Sequence, residues 1–377
     1  MLQLPSAHAL RATLHAKLVA SAAIDADPNV LQSIARIRTA KELTIAAASS
    51  TIETKPRRLV RTLNPPRLVR TLHGHSHIIY CVSMCEDGEC VVSGSEDKTA
   101  KVWNITTGQT LCNFTRHTGA VLSSALFSDG KRVVSGGGYF DMTVRVWNLE
   151  TGAQLRAFKG HAGRVWGVAV SPDDCTIASG SEDTTIKLWN AYTGQIEATL
   201  TGHRDCVKSL AFHPDGQTLA STSQDTTIKL WCLVTKKLER TIVANGHTSS
   251  VRGVAFTPDG ERLVTSSWDT TIKVWDWRTG DLDKTFAGHT GFVNCITVFP
   301  DGERIVSGGW DKTVKIWNLY SGELEHTLRG HTSQVRSVSV SHDGKTLISG
   351  SSDNTIKIWA VSSEKKFCTN CGCGVSR

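Results

Sequence analysis

Short apolar segments recur along most of the chain, and turn-forming residues separate them. Residues 251–256 (Val-Arg-Gly-Val-Ala-Phe) form one such segment, and a Thr-Pro-Asp-Gly turn follows at 257–260. A second segment ends in Ser or Thr, and a third, Thr-Ile-Lys-Val-Trp at 271–275, is rich in β-branched residues. Pro and Gly suit tight chain reversals, and β-branched residues favour strands. The pattern therefore predicts consecutive β-hairpins.

This block of strands and turns occurs seven times. A histidine precedes each block, a glycine stands immediately before it in six repeats, and the spacing between histidines is 42 or 44 residues. The histidines are His75, His117, His161, His203, His247, His289 and His331. Each repeat also has an aspartate in the tight turn between its second and third strands. Seven units of about four strands at this period are the signature of propeller blades.

The repeats resemble those of the WD-repeat family over residues 67–361. The Gly-His, Pro-Asp-Gly, Ser-x-x-x-Asp and terminal Trp motifs recur in register, although only Trp275-Asp276 has the dipeptide that names the family. Most other repeats read Trp-Asn, as at Trp103-Asn104. The resemblance implies an all-β fold, a seven-bladed β-propeller of four-stranded antiparallel blades. It also implies a non-catalytic scaffold or adaptor for protein–protein interactions, within a multi-protein complex.

The chain divides into three parts: an N-terminal extension (1–56), the propeller (57–361) and a Cys-containing tail (362–377). We expect the extension to be partly helical, after Asp27-Pro28, and disorder is the alternative. Residues 58–63 and 67–72 both read Arg-Leu-Val-Arg-Thr-Leu. Only the second copy leads into a Gly-His pair, so we expect it to be the outer strand of the last blade, where it would cover two exposed strand edges.

The resemblance implies a hydrogen-bonded tetrad of His, Ser or Thr, Asp and Trp inside each blade. The sets are His75, Ser93, Asp97 and Trp103; His161, Ser179, Asp183 and Trp189; His203, Ser221, Asp225 and Trp231; His247, Thr265, Asp269 and Trp275; His289, Ser307, Asp311 and Trp317; and His331, Ser349, Asp353 and Trp359. These groups are similar to a Ser-His-Asp catalytic triad, but their repetition indicates a network that satisfies buried polar groups. We therefore expect no catalytic, cofactor or metal site.

The second repeat departs from this pattern. Its turn, residues 136–140 (Gly-Gly-Gly-Tyr-Phe), is two residues longer than in the other repeats. A glycine then stands four residues before Asp141, where the other repeats have the tetrad hydroxyl, which leaves this tetrad in question. The longer turn is either a partner contact or a tolerated surface insertion.

The resemblance also indicates where a partner would bind. Three positions of each repeat face the end of the propeller that bears the His and Asp turns: the third and fifth residues after the His and the residue before the Asp. The expected contact residues are Tyr80, Phe140, Arg164, Trp166, Lys208, Arg252, Trp268, Phe292, Trp310 and Arg336. Aromatic rings and arginines are typical of interface hot spots, and the cations would suit an acidic or phosphorylated peptide. The alternative is that some rings plug the channel mouth.

Charge and cysteine content limit the other function classes. The net charge of +7 comes from residues 1–72, and charges balance in the rest of the chain, so nucleic-acid binding is a minor alternative through the basic N-terminal arm. No apolar run has the 18 residues of a membrane span. Eleven irregularly spaced cysteines favour a reducing compartment, the cytoplasm or nucleus, and residues 1–24 leave organelle targeting open. Cys368, Cys371 and Cys373 are one ligand short of a zinc site.

A more specific alternative is a substrate receptor of a cullin-RING ubiquitin ligase. Residues 263–278, which end in Trp-Asp-Trp-Arg, resemble the short box with which some WD-repeat receptors dock onto such ligases. The other repeats lack its final Asp-x-Arg pair.

Overall fold

The computed structural model describes residues 62–243 and 246–364, and within these ranges all regular structure is β. Seven four-stranded antiparallel sheets are the blades of a propeller, and two short strands form a separate pair. This confirms the predicted seven-bladed, all-β fold. The expected N-terminal extension and the tail cysteines lie outside the described residues.

Six blades are meanders of four consecutive strands, and the last blade combines three consecutive strands with one from the N-terminal side; strands are numbered in chain order. Two strands, β1 (Thr62–Leu63) and β2 (Arg67–Leu72), precede the first inner strand. The innermost strands are β3 (Ile79–Met84), β7 (Val121–Leu126), β11 (Val165–Val170), β15 (Val207–Phe212), β19 (Val251–Phe256), β23 (Val293–Val298) and β27 (Val335–Val340). The second strands are β4 (Cys90–Ser95), β8 (Arg132–Gly137), β12 (Thr176–Ser181), β16 (Thr218–Ser223), β20 (Leu263–Ser267), β24 (Arg304–Gly309) and β28 (Thr346–Ser351). The third strands are β5 (Ala100–Asn104), β9 (Val144–Asn148), β13 (Ile186–Asn190), β17 (Ile228–Cys232), β21 (Thr271–Asp276), β25 (Val314–Asn318) and β29 (Ile356–Ala360). The outer strands that follow them are β6 (Thr110–Phe114), β10 (Gln154–Phe158), β14 (Ile196–Leu200), β18 (Lys237–Ile242), β22 (Asp281–Ala287) and β26 (Leu324–Leu328), and β30 (Ser363–Glu364) comes last.

The fifth blade shows how local sequence determines a blade. Its inner hairpin turns at Gly260, which has a φ of +70° and whose N–H donates to the carbonyl of Thr257 at 2.8 Å. Glycine adopts this left-handed conformation without strain. In the hairpin, Val254 lies opposite Thr265, which carries the tetrad hydroxyl of this blade.

The N-terminal strand closes the ring, as predicted. Strand β2 pairs antiparallel with β29, with Arg67 opposite Ala360 and Leu72 opposite Ile356. The second Arg-Leu-Val-Arg-Thr-Leu copy is therefore the outer strand of the last blade. The last two residues of the first copy form β1, which pairs with β30.

The core lies between neighbouring blades rather than inside single blades. One cluster joins Phe158 of the second blade to Trp189 of the third, whose rings stack at 5.5 Å. The closing interface joins Leu72 and Ile356 of the last blade to Trp103 of the first. Glycine permits this packing, because a Cβ at Gly180 would lie only 2.6 Å from the side chain of Val207 in the next blade.

Candidate functional site

The tetrad residues of six blades lie in hydrogen-bonded chains. In the fourth blade, His203 Nδ1 lies 2.8 Å from Asp225 Oδ2, and His203 Nε2 lies 2.7 Å from Ser221 Oγ. The indole of Trp231 donates to the same Ser221 oxygen at 2.8 Å. The other five blades have the same partners at 2.7–3.0 Å. A neutral imidazole that donates from Nδ1 and accepts at Nε2 satisfies every group in the chain.

The electrostatics of this chain stabilise a fixed protonation state. Burial lowers the pKa of His203, which favours the neutral imidazole. Burial opposes ionisation of Asp225, but hydrogen bonds from His203 and Thr227 outweigh it and hold the pKa of this carboxyl well below its usual range. Ser221 has no exposed surface. The hydroxyl is therefore sealed from any substrate, so the geometry is that of a structural network.

The expectation for the second blade is wrong. Ser135, not a glycine, takes the hydroxyl position: its Oγ lies 2.7 Å from His117 Nε2 and accepts from Trp147 Nε1 at 2.7 Å. His117 Nδ1 lies 3.1 Å from Asp141 Oδ2, outside good hydrogen-bond geometry. Counting back from the aspartate failed because the two extra residues lie between the hydroxyl and the aspartate.

The inserted pair is Tyr139-Phe140. The Gly138 N–H donates to the carbonyl of Ala120 at 2.7 Å, the bond that the residue before the aspartate makes in the other blades. Gly138 therefore occupies the position expected for Phe140, whose side chain is 88% exposed. The guanidinium of Arg164, from the next blade, lies 3.4 Å from the Tyr139 ring centroid.

The fifth residue after each repeated histidine lies at a break in strand register. Every pairing between an inner and a second strand shifts by one residue there, as between Val251 and Gly253, which leaves Arg252 unpaired. Such a bulge re-aims a side chain. We call the seven residues at these breaks the channel mouth: Tyr80, Leu122, Trp166, Lys208, Arg252, Asn294 and Arg336. All seven line one central cavity of about 200 Å³.

Three predicted aromatic residues form a cluster beside the channel mouth. The rings of Trp268 and Phe292 stack at 5.1 Å, and Trp310 lies 5.9 Å from Trp268 and 4.7 Å from Phe292. Both indoles donate to Asn294 Oδ1, at 3.4 and 3.1 Å. All three rings are half-buried. We call these three residues the aromatic cluster. No sequence motif marks Asn294 as their shared acceptor.

Two cations of the channel mouth lie against aromatic faces. Lys208 Nζ is 4.0 Å from the centroid of Trp166, and Arg252 Cζ is 5.5 Å from Trp166 and 4.8 Å from Trp268. Burial and the charge of Arg252 lower the pKa of Lys208 to about 8. Burial and the charge of Arg336 lower the pKa of Arg252 to about 10. These two side chains are therefore poorly solvated, and each lies near another positive charge.

The third cation, Arg336, has a hydrogen-bond partner of its own. Its Cζ lies 5.8 Å from Tyr80 and 6.0 Å from Trp310, and its Nε donates to Ser352 Oγ at 2.8 Å. Burial lowers its pKa. Burial, with Glu96 nearby, raises the pKa of Tyr80.

One cluster of metal-type ligands was not recognised from the sequence. The donor atoms of Cys85, Asp87 and Cys90, around the first inner hairpin, all lie within 4.8 Å of one another. Burial raises the pKa of both thiols, which opposes the thiolate form that metals require. The set is one ligand short of a closed zinc site.

Within the described residues, no helix has the length and apolar character needed to cross a membrane. The geometry defines a β-propeller built from tetrad-bearing blades. The family model described as "WD domain, G-beta repeat" matches residues 66–104, 108–148, 152–190, 194–232, 237–276, 280–318 and 322–360. The chain belongs to the WD-repeat family.

One curated relative is the guanine nucleotide-binding protein subunit beta-1 of Caenorhabditis briggsae. It is 39% identical over 70 residues, which are 19% of this chain and 20% of the relative. The chain thus matches about a fifth of that relative's length.

Proposed function

We propose that this protein is a non-catalytic scaffold that binds a protein or peptide partner on its upper face, the end of the propeller that bears the His and Asp turns. The aromatic cluster carries the proposal, because its three half-buried rings come from different turns and pack together beside the cavity that the channel mouth lines. Clustered tryptophan and arginine side chains are typical of binding hot spots. The matched relative is by its name a subunit of a larger protein, which agrees with a role in an assembly.

Trp277, which belongs neither to a tetrad nor to the expected contact residues, supplies a matched control. Trp277 is half-buried like the cluster, but its indole donates to the Gly260 carbonyl at 2.8 Å, and its ring lies 4.9 Å from His213. Gly260 belongs to the turn at the other end of the inner strands. A Trp277→Ala variant therefore removes the same side chain from the opposite face.

Affinity purification with quantitative mass spectrometry tests the proposal. We expect the Trp268→Ala/Trp310→Ala variant to lose the proteins that the wild type captures, whereas Trp277→Ala retains them. The melting temperature of the double variant should stay close to that of the wild type. Capture of the same proteins by both variants would exclude the upper face, and an unfolded double variant would make the two rings core residues.

The ubiquitin-ligase alternative has one supporting observation. Arg278 lies at the surface with its Cζ 4.7 Å from the Trp277 centroid, and it forms an exposed ion pair with Glu261 at 3.3 Å. Its guanidinium is therefore available to a ligase subunit. Co-purification of ligase subunits that is lost on Arg278→Ala would support this role, and their absence would remove it.

The nucleic-acid alternative has less support. Arg70 donates to the carbonyls of Thr106 and Thr107 at 2.7 and 3.1 Å, so it fixes the closing strand. The other arginines of the basic arm lie mostly outside the described residues. For location we propose the cytoplasm or nucleus, which agrees with the eight free thiols among the described residues.

A further inference from the structure

Buried cations elsewhere in this propeller have partners. Arg304 is 1% exposed, and its guanidinium bonds to Glu325 at 2.8 Å and to Asp301 at 3.0 Å. Lys229, in a third strand, donates to Thr241 at 2.9 Å. Such pairing is expected because an uncompensated buried charge is strongly destabilising.

The channel mouth breaks this rule. Lys208 is 8% exposed and lines the cavity, yet within residues 62–243 and 246–364 it has no hydrogen bond and no carboxylate within 4.0 Å. Arg252 is half-buried, and its side chain likewise has no hydrogen bond and no carboxylate within 4.0 Å in the described part of the chain. The two carboxylates whose charges act on Lys208 have other partners: Glu182 lies 3.4 Å from Arg164, and Asp205 accepts from a backbone N–H at 2.7 Å.

A neutral donor also lacks a partner at this place. The Nε1 atom of Trp166 is buried without a hydrogen bond from the described part of the chain. Lys208 and Arg252 both lie over its ring, at 4.0 and 5.5 Å from the centroid. A buried N–H, a buried lysine and a half-buried arginine around one cavity are a set of donors with no acceptor among the described residues, and a set of this kind fits an anion.

The charge of the site selects the kind of anion. Lys208, Arg252 and Arg336 provide up to three positive charges, whereas one carboxylate would offset a single charge. A phosphoryl group carries about −1.5 to −2 charges and three acceptor oxygens. The cavity of about 200 Å³ lies next to the aromatic cluster, so a bound peptide could contact both.

We propose that the channel mouth receives the phosphorylated side chain of a peptide partner, with Lys208, Arg252 and Trp166 as its donors. This inference rests on the proposed function, because the peptide would lie across the upper face. The aromatic cluster then holds the peptide, and the channel mouth makes binding depend on phosphorylation.

Isothermal titration calorimetry on the full chain tests this directly. The probes are a degenerate peptide mixture with a fixed central phosphoserine, the same mixture with serine, the same mixture with aspartate, and inorganic phosphate. We expect the phosphorylated mixture to bind at least tenfold more tightly than the other two mixtures. At pH 8 its binding should take up protons, measured as a dependence on buffer ionisation heat, because an anion raises the pKa of Lys208.

The variants separate binding from folding. Lys208→Met should weaken binding of the phosphorylated mixture at least tenfold, remove the proton uptake, and leave the melting temperature equal or higher, because it deletes an unpaired buried charge. Lys208→Arg should retain binding. Lys345→Met is the control, since this lysine is exposed and lies at the opposite end of the inner strands.

Several results would overturn the inference. Equal binding of the serine and phosphoserine mixtures would do so, as would a Lys208→Met variant that binds normally or melts at a lower temperature. Displacement of the phosphorylated mixture by single-stranded RNA with a steeper salt dependence would assign the cations to nucleic acid instead. If Lys208→Met keeps the captured partners while Trp268→Ala/Trp310→Ala loses them, the proposed function stands and this inference fails.

Discussion

Replacing Thr265 by valine would isolate the energetic contribution of one tetrad. The substitution keeps the shape of the side chain but removes an oxygen that lies 2.8 Å from both His247 Nε2 and Trp275 Nε1. Thr265 has no exposed surface, so water cannot replace the lost acceptor. Each buried group left without a partner costs about 1–3 kcal/mol. The two together predict a loss of about 2–6 kcal/mol in the free energy of unfolding.

Urea unfolding, followed by both tryptophan fluorescence and far-ultraviolet circular dichroism, measures this loss, and coincident curves would justify a two-state treatment. Thr265→Ser is the matched control because six blades already use serine at this position. Thr265→Ser keeps the hydroxyl and removes one methyl group, which should lower the free energy of unfolding by about 1 kcal/mol. If the free energies of unfolding of Thr265→Val and Thr265→Ser differ by less than about 0.5 kcal/mol, the tetrad does not stabilise the blade.

Three further predictions concern stability. The folded state lowers the pKa of His203 and of Asp225, so the unfolded chain binds more protons at low pH. The free energy of unfolding should therefore fall as the pH drops below about 6.5, and again below about 4. A flat profile from pH 7 to 5 would contradict a neutral imidazole. Thr226 follows a turn aspartate and has a φ of +67°. Replacing Thr226 by asparagine should raise the free energy of unfolding in urea by about 1 kcal/mol, because asparagine adopts this left-handed conformation more readily. Unchanged stability would rule out backbone strain at this position. Leu72→Ala, at the ring closure, should lower the free energy of unfolding by about 2–5 kcal/mol. Leu68 is exposed on the same strand, so Leu68→Ala should lower it by under about 0.5 kcal/mol. Equal losses would show that the closing strand does not stabilise the ring.

The repeated features of the fold were predictable from the sequence. Six tetrads and the closing strand follow from motifs that recur in register, so an assignment in one blade constrains the others. The closing strand at 67–72 was distinguishable from its copy at 58–63 because only the former leads into a Gly-His pair. Repetition therefore supplies the register information that a single strand lacks.

The features that occur once were not predictable in the same way. The extra residues of the second blade have no counterpart in the other repeats, so the sequence could not show that Ser135 keeps its place and that Tyr139-Phe140 bulges out. The shared acceptor Asn294 and the unpaired Lys208 depend on contacts between blades, which no local motif encodes. Asn294 and Lys208 both line the cavity of the candidate site, where function and regular repetition impose different demands.

Site-specific photo-crosslinking in cells tests the upper-face interaction most directly. A benzoylphenylalanine at position 140, where Phe140 is 88% exposed at the upper face, is compared with one at position 234, where Val234 is 74% exposed at the opposite end of the strands. We expect a partner crosslinked from position 140 and none from position 234. A partner crosslinked only from position 234 would contradict it.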